Sequence, residues 1–414
     1  MEDAYITLPK GYKANGVSAG MKCSDPANIN NDLPRSSYLD VALIVSDKPA
    51  NVAGVYTSNL VKGHSLTRTI DIIRGGNQVR GIVINSKVAN ACVGKIGVED
   101  AENIADKISK EIGCSSKEIM TASTGVIGTR LPLDKISKIV PELVSGLSDN
   151  ADSAHNAEFA MMTTDTVPKE VAATITLGDG KEVTIAGRAK GSGMIHPNLA
   201  TMICVFTTDA NIASDVLDKA LRAAVAHTFN RVSVDGDTSV CDSVIIMANG
   251  ASDSSQIDDN TDDYELFSNA LTSLSEDLAR MIASDGEGAT KFVEITLEGA
   301  KDKDDAKLIV TSVARSPLVK TMIFGEDANC GRVITAVGYS GADFDPDKVD
   351  IRLNGLLTYE NGMAVNFDED LAKKLLAQHD IKIDITLHEG DAFDRMYTCD
   401  FSYDYVKING SYRS

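Results

Sequence analysis

A threonine that opens a strongly apolar strand, directly behind a loop with two glycines and a proline, is where this sequence concentrates its chemistry. The stretch runs from Lys190 to Phe206, KGSGMIHPNLATMICVF, with Gly191, Gly193 and Pro197 in the loop and Thr201 at its end. Its plain reading is a glycine-rich connection followed by a core strand. Its chemical reading needs a loop able to adopt strained backbone geometry ahead of the hydroxyl. The Thr201 hydroxyl then attacks the carbonyl of Ala200, and the peptide becomes an ester by an N→O acyl shift. Hydrolysis leaves Thr201 as a new N-terminus. An α-amine titrates near a pH of about 8, well below lysine. It therefore serves as general base to its own hydroxyl, and no separate histidine is needed.

Other constellations carry less. His64, His155, His196, His227, His379 and His388 show no HxxxH or HExxH spacing, so no zinc site is expected. Asp235-Gly-Asp237-Thr-Ser-Val-Cys-Asp242 is acidic but lacks the calcium-loop spacing, and reads as a structural turn or one that faces an active site. Gly191-Ser-Gly193 has neither a dinucleotide-binding nor a P-loop context. Cys204, on the strand after Thr201, reads as core.

The elements that must position these residues alternate along the chain. Strands are expected at Val41–Ser46, Gly81–Asn85, Val171–Thr176, Met202–Thr208, Ser243–Ala248, Phe292–Glu298 and Lys382–Leu387, rich in Val, Ile and Thr. Helices are expected at Glu99–Ile112, Pro132–Leu147, Asp215–Phe229, Glu265–Ala283 and Glu369–Gln378. In the third of these, Val216, Leu217, Ala220, Leu221 and Ala224 make one apolar face, and Ala-Ser-Asp ahead of it offers N-cap chemistry. Gly178-Asp179-Gly180 reads as a hairpin turn. Ser24–Ser37 reads as a disordered insertion and Gly250–Asp263 as a surface loop. The order of elements predicts layered α/β or α+β packing.

The 414 residues suffice for two or three domains. A formal net charge of −20 argues against a nucleic-acid surface and against docking on anionic lipid. No apolar run approaches the roughly 20 residues of a membrane helix, and the N-terminus lacks a secretory pattern. Seven cysteines without a CxxC pair read as reduced thiols, so the expected location is cytoplasmic.

KGSGMIHPNLATMICVFTTDA resembles the self-cleavage segment of the ornithine acetyltransferase family (bifunctional glutamate N-acetyltransferase, arginine biosynthesis protein J). The likeness is collinear over nearly the whole chain. It takes in SDKPANVAGVYTSNLVK, STGVIG at Ser123–Gly128, MTTDTVPK at Met162–Lys169, NRVSVDGDTS at Asn230–Ser239, DGEGATKFVEI at Asp285–Ile295, SPLVKTMIFGEDANCGR at Ser316–Arg332 and the closing YDYVKINGSYRS.

The resemblance implies an α/β, α+β-layered fold of the DmpA/ArgJ-like kind, with β-sheets sandwiched by helices and a smaller C-terminal α/β subdomain at about 305–414. It implies an N-terminal-nucleophile enzyme cut between Ala200 and Thr201 into an alpha chain, 1–200, and a beta chain, 201–414, assembled as two of each. Thr201 is then the nucleophile, and Thr124 and Gly125 form the oxyanion hole, consistent with a hydroxyl and an N–H in one tight turn. Substrate-binding positions match Thr164 (or Thr163, one residue away), Lys190, Thr201, Glu287, Asn409 and Ser414. Lys190 suits a substrate carboxylate and Glu287 an amine, although a lone lysine or glutamate is ordinarily a solvated surface charge. The implied reaction moves acetyl from N2-acetylornithine to glutamate without a cofactor or metal. Use of acetyl-CoA as a second donor stays open.

Four positions depart from the family pattern. They are His196 near the scissile bond, Lys87 in place of glycine, Cys330 in place of tryptophan, and a terminal Ser414 in place of threonine. Of these, His196 and Lys87 keep an inactive, non-cleaving paralogue in view, while the same nucleophile with water as acceptor would give an N-terminal-threonine amidase or aminopeptidase.

Overall fold

The structure, a computed structural model, describes residues 3–22, 34–197 and 202–411. The chain divides into two compact units. The first holds residues 1–191, 198–230 and 238–278; the second holds 192–197, 231–237 and 279–414. The continuous part of the second unit therefore begins at Ala279, ahead of the expected start near 305, and takes in the strand Phe292–Ala300, which pairs with strands that follow it in the chain.

The first unit contains β1 (Tyr12–Val17), β2 (Val41–Tyr56), α1 (His64–Arg74), β3 (Val79–Asn85), α2 (Ile96–Ile112), β4 (Ile119–Ser123), α3 (Leu133–Ser145), α4 (Ala151–Met161), β5 (Glu170–Thr176), β6 (Glu182–Lys190), β7 (Ile203–Thr208), α5 (Ser214–His227), β8 (Ser243–Ala248) and the part of α6 (Asp262–Ser284) up to Leu278. Its eight strands run β4-β3-β2-β8-β7-β6-β5, with β1 also on β2. The long β2 serves two sheet segments. Residues 41–46 pair with β1 and β3, the register shifts between Val45 and Ala50, and residues 51–56 pair with β8. Such a shift lets one strand turn a corner. Alternation along β2 feeds two cores: Ala42 and Ile44 pack with Ala154, Ala157 and Met161 of α4, and Val41, Leu43 and Val45 pack with α2 and α3.

The second unit contains β9 (Phe292–Ala300), α7 (Lys303–Ala314), α8 (Pro317–Phe324), α9 (Cys330–Gly338), β10 (Asp350–Leu353), β11 (Leu356–Glu360), β12 (Met363–Ala364), α10 (Glu369–Leu376), β13 (Asp380–Thr386), β14 (Ala392–Cys399) and α11 (Tyr403–Gly410). Its sheet runs β12-β11-β10-β13-β9-β14, with β9 and β13 parallel. Val293, Ile295 and Leu297 of β9 and Ile381, Ile383 and Ile385 of β13 share a core with α7, α8 and α9. Mixed α/β layering thus holds in both units.

Local expectations fare unevenly. The α5 face is buried through Leu217, Ala220, Leu221 and Ala224. Its cap is a correction: Ala213 occupies the N-cap with no side-chain hydrogen bond, so Ser214 sits one position too late to cap, and Asp215 contributes only charge to the first turn. The Gly178–Gly180 turn closes the β5–β6 hairpin, with Gly180 at φ +77. Residues 24–33 of the expected insertion lie outside the described residues, and Arg35–Ser37 form a 3-10 turn. The Gly250–Asp263 stretch is not all surface, since Ile257 is fully buried and bridges to Ile212. Among the described residues no helix is long and apolar enough to cross a membrane, and no group of three His, Cys, Asp or Glu could hold a metal ion.

Candidate active site

In the first unit, Thr124 and Gly125 follow β4 in a turn zipped against residues 85–91. Thr124 N–H donates to Asn85 (2.9 Å), Val126 N–H to Lys87 (2.9 Å) and Ala89 N–H to Val126 (3.0 Å). Gly125 lies between them at φ +129, and a Cβ there would come within 2.1 Å of the Lys87 carbonyl carbon. Only glycine fits. The Gly125 N–H has no acceptor among the described residues. Lys87 itself takes φ +75 with its side chain exposed, so the loop keeps a glycine-type conformation despite the substitution. That backbone costs a non-glycine residue about 1–3 kcal/mol.

Lys190, at the end of β6, is 1 % exposed, and its Nζ donates to Thr124 Oγ1 at 3.4 Å. The solvated-charge reading of Lys190 is therefore wrong. Behind it stands Asp165, from the loop after α4 that also carries Thr163 and Thr164. Its carboxylate accepts from Gly191 N–H (2.6 Å), Thr163 N–H (2.9 Å) and Lys169 Nζ (2.9 Å). Burial pushes this carboxyl up, but Lys169 and Lys190 beside it, with the Thr163 N–H, hold it well below the usual carboxylate range. Thr163 and Thr164 are both half-buried in this loop. Lys22 joins the group, donating to Ser36 and Phe159 carbonyls, and burial lowers its pKa to about 8. Asp242, fully buried, accepts from Met202 N–H at 3.2 Å. Burial raises its pKa well above the carboxylate norm, and its Oδ2 has no hydrogen-bond partner among the described residues. Cys204 is core, as expected.

In the second unit, Glu287 is 7 % exposed; Asn409 Nδ2, on α11, donates to its Oε2 at 2.7 Å, so these two predicted positions meet. The Glu287 N–H donates to Ser192 (2.9 Å), and its carboxyl lies so close to Gly193 that a Cβ there would collide at 2.2 Å. His196 Nδ1 bonds Ser233 Oγ at 3.1 Å, and burial, with Arg315 nearby, lowers its pKa. Cys330 is half-buried at the first position of α9. Ala200, Thr201 and Ser414 lie outside the described residues.

Asp165, Lys169 and Lys22, which lie around Lys190, were not singled out by reading the sequence, and Asp242 entered only within a turn read as structural or facing an active site. The one available signal was the i,i+4 spacing of Asp165 and Lys169 inside MTTDTVPK, which looks like any surface pair until both prove to be buried. A separate cavity of about 550 Å³ in the first unit, lined by Tyr56, Lys62, Arg74, Asp215 and Arg222, includes none of the predicted residues.

A hydroxyl, an N–H without an acceptor among the described residues and a buried ammonium, gathered in the first unit, are suited to a tetrahedral oxyanion, and with the layered α/β fold they fit an acyl-transferring enzyme. The chain belongs to the ArgJ family, whose profile matches residues 25–414. It is 44 % identical to the arginine biosynthesis bifunctional protein ArgJ of Caldanaerobacter subterraneus, covering 100 % of this chain and 99 % of that one. It is 42 % identical to the ArgJ of Geobacillus kaustophilus, over 100 % and 97 %. Among solved structures, an ornithine acetyltransferase from Mycobacterium tuberculosis, complexed with ornithine, is 32 % identical over 49 % of this chain and 98 % of that chain, with a TM-score of 0.42.

Proposed function

We propose that this protein transfers the acetyl group of N2-acetyl-L-ornithine to L-glutamate through an acyl-Thr201 intermediate, in arginine biosynthesis. Self-cleavage between Ala200 and Thr201 first frees the α-amine. In the first half-reaction, Thr201 Oγ passes its proton to that amine and bonds the acetyl carbon. The C–N bond breaks, the proton goes to the departing amine, and ornithine leaves. In the second, the glutamate amine attacks the ester, and the Thr201 oxygen departs with its proton returned. The covalent intermediate splits one hard aminolysis into two easier steps.

Thr124 Oγ1 and the Gly125 N–H take the developing oxyanion. Lys190 pairs with a substrate carboxylate, and Glu287, steadied by Asn409, takes the side-chain ammonium of ornithine. Thr164 (or Thr163) and Ser414 complete the substrate contacts. The cycle needs no resident cofactor; acetyl-CoA as a second donor is a separate activity, read by substituting it for acetylornithine. The two fragments stay associated, two of each, in the cytoplasm.

The observation that carries this reading is the Gly125 N–H, without an acceptor among the described residues, beside Thr124 and Lys190, in a chain covered over its full length by proteins named for arginine biosynthesis. Intact-mass analysis tests it. Two fragments are expected, and the fragment that begins at Thr201 gains one acetyl group on incubation with acetylornithine and loses it to glutamate. Free acetate as the dominant product at any glutamate concentration would make the protein a hydrolase instead.

A further inference from the structure

Behind the Thr124–Gly125 turn, wholly inside the first unit, four buried polar side chains make one unbroken run of hydrogen bonds. Asn90 Nδ2 lies 3.0 Å from Ser65 Oγ, Ser65 Oγ lies 2.7 Å from Ser123 Oγ, and Ser123 Oγ lies 2.6 Å from Asn85 Oδ1. At one end, Asn85 Nδ2 reaches the carbonyls of Val88 (2.9 Å) and Ser86 (3.2 Å). At the other, Asn90 Nδ2 also reaches the Gly97 carbonyl at 2.9 Å. Carbonyls only accept, so both amides must present their nitrogens at the two ends. Every proton between is then fixed: Asn90 donates to Ser65, Ser65 to Ser123, and Ser123 to Asn85 Oδ1. Reversing any member leaves a buried group unpaired, which costs more than the bond itself contributes.

The Asn85 end shapes the loop against which the turn is zipped. Lys87 sits at φ +75, a conformation that glycine takes freely and lysine does not. The carbonyls on either side of it, from Ser86 and Val88, are the two that Asn85 Nδ2 holds. The Lys87 carbonyl accepts the Val126 N–H, and the Asn85 carbonyl accepts the Thr124 N–H, both at 2.9 Å. The Gly125 N–H therefore lies between two fixed peptide groups, itself without an acceptor among the described residues. Ser123, which orients the Asn85 amide, immediately precedes Thr124.

We propose that Asn85 is a positioning residue for the oxyanion donor: its side-chain amide, oriented by Ser123, holds the strained Ser86–Val88 loop that sets where the Gly125 N–H lies. This rests on the reading of Thr124 and Gly125 as the oxyanion hole. Asn85 gives up no proton and forms no bond to the acyl group; it acts through the loop. A misplacement of about 1 Å costs about 100-fold in rate, within the 10²–10³ or so that removing such a donor outright costs.

The test measures acetyl transfer from acetylornithine to glutamate, per cleaved fragment, on protein whose circular dichroism matches wild type. The variants are Asn85→Ala, Ser123→Ala, Lys87→Gly and Asn85→Ala/Lys87→Gly. Asn85→Ala is expected to lower kcat about 10- to 100-fold while the KM for acetylornithine moves less than about threefold, because the donor acts in the transition state. Ser123→Ala is expected to lower kcat by a smaller factor. Glycine at 87 holds the positive φ without help from the amide, so losing Asn85 is expected to cost at least about threefold less in the Lys87→Gly background than in wild type. A purely structural Asn85 would lower the yield of folded protein and leave kcat alone. Asn85→Ala with kcat within about twofold of wild type overturns the proposal, as does a loss confined to KM or one that Lys87→Gly leaves undiminished. If Asn85→Ala does not fold or is not cut, Ser123→Ala decides, and an unchanged kcat there refutes the role. Gly125→Ala separates the two readings. Should it keep its kcat, the oxyanion reading fails and this proposal with it; should it lose kcat while Asn85→Ala keeps it, only the present proposal fails.

Discussion

Replacing Gly125 with alanine should separate the oxyanion reading from a purely structural turn. The position holds φ +129, and a Cβ would meet Lys87 C at 2.1 Å, Lys87 O at 2.3 Å and Val88 N at 2.6 Å, all backbone atoms with no flexible side chain to give way. The backbone conformation alone costs alanine about 1–3 kcal/mol. Relieving the collision means drawing the 85–91 loop away, which threatens the Val126–Lys87 and Ala89–Val126 hydrogen bonds, each contributing about 0.5–1.5 kcal/mol. Local stability therefore falls by roughly 2–6 kcal/mol, a large share of the ~5–15 kcal/mol that keeps a domain folded.

The catalytic consequence is distinct. Turning the Gly125 N–H away removes one donor from the oxyanion, worth about 10²–10³ in kcat, while the KM for acetylornithine moves little because that donor acts in the transition state. The assay is acetyl transfer from acetylornithine to glutamate, normalised to cleaved fragment, on protein whose circular dichroism matches wild type. Thr124→Ala should fall by a similar order and Thr124→Ser should not, since serine keeps the hydroxyl that meets Lys190. A folded Gly125→Ala enzyme with kcat within about twofold of wild type would refute the assignment of Gly125 as an oxyanion donor.

Other outcomes are equally specific. Thr201→Ala should persist as one full-length chain on a denaturing gel; a cut at the same bond would rule out the N→O shift. Glu287→Ala should raise the KM for acetylornithine steeply, because its carboxylate is nearly buried and held by Asn409; an unchanged KM would return Glu287 to a structural role. Asp165→Asn strips a buried Lys169 of its carboxylate partner, and removing one member of such a pair costs about 3–5 kcal/mol. The Asp165 carboxyl is held below its usual range in the folded state, so its contribution is fully present above the unfolded pKa of about 3.9 and is lost as pH falls through the lower folded value. Urea unfolding should therefore show the variant much weaker than wild type at neutral pH, with the gap closing only in strong acid. A gap independent of pH down to about 2 would contradict the charge assignment.

The strands that alternate or run apolar, such as Ser243–Ala248 and the β9 core strand, were legible because their pattern is local: side chains two apart share a face whatever the rest of the chain does. The apolar stripe of α5 was legible for the same reason, and the ordered motifs placed Thr124, Gly125, Lys190 and Glu287 on a common list. The cap of α5 was misread because capping depends on which residue leaves the helical conformation, a matter of one position. Tertiary structure alone decided that Lys190 is buried against Thr124, 66 residues away, and that Asp165 gathers Thr163, Lys169 and Gly191 around one carboxylate. It alone showed that Lys87 can hold a glycine conformation. The physical reason is common to all of these. A charged residue in a sequence carries no mark of its solvation, and only when the fold withdraws water does its partner, distant in the chain, determine whether it is a surface charge or part of a site.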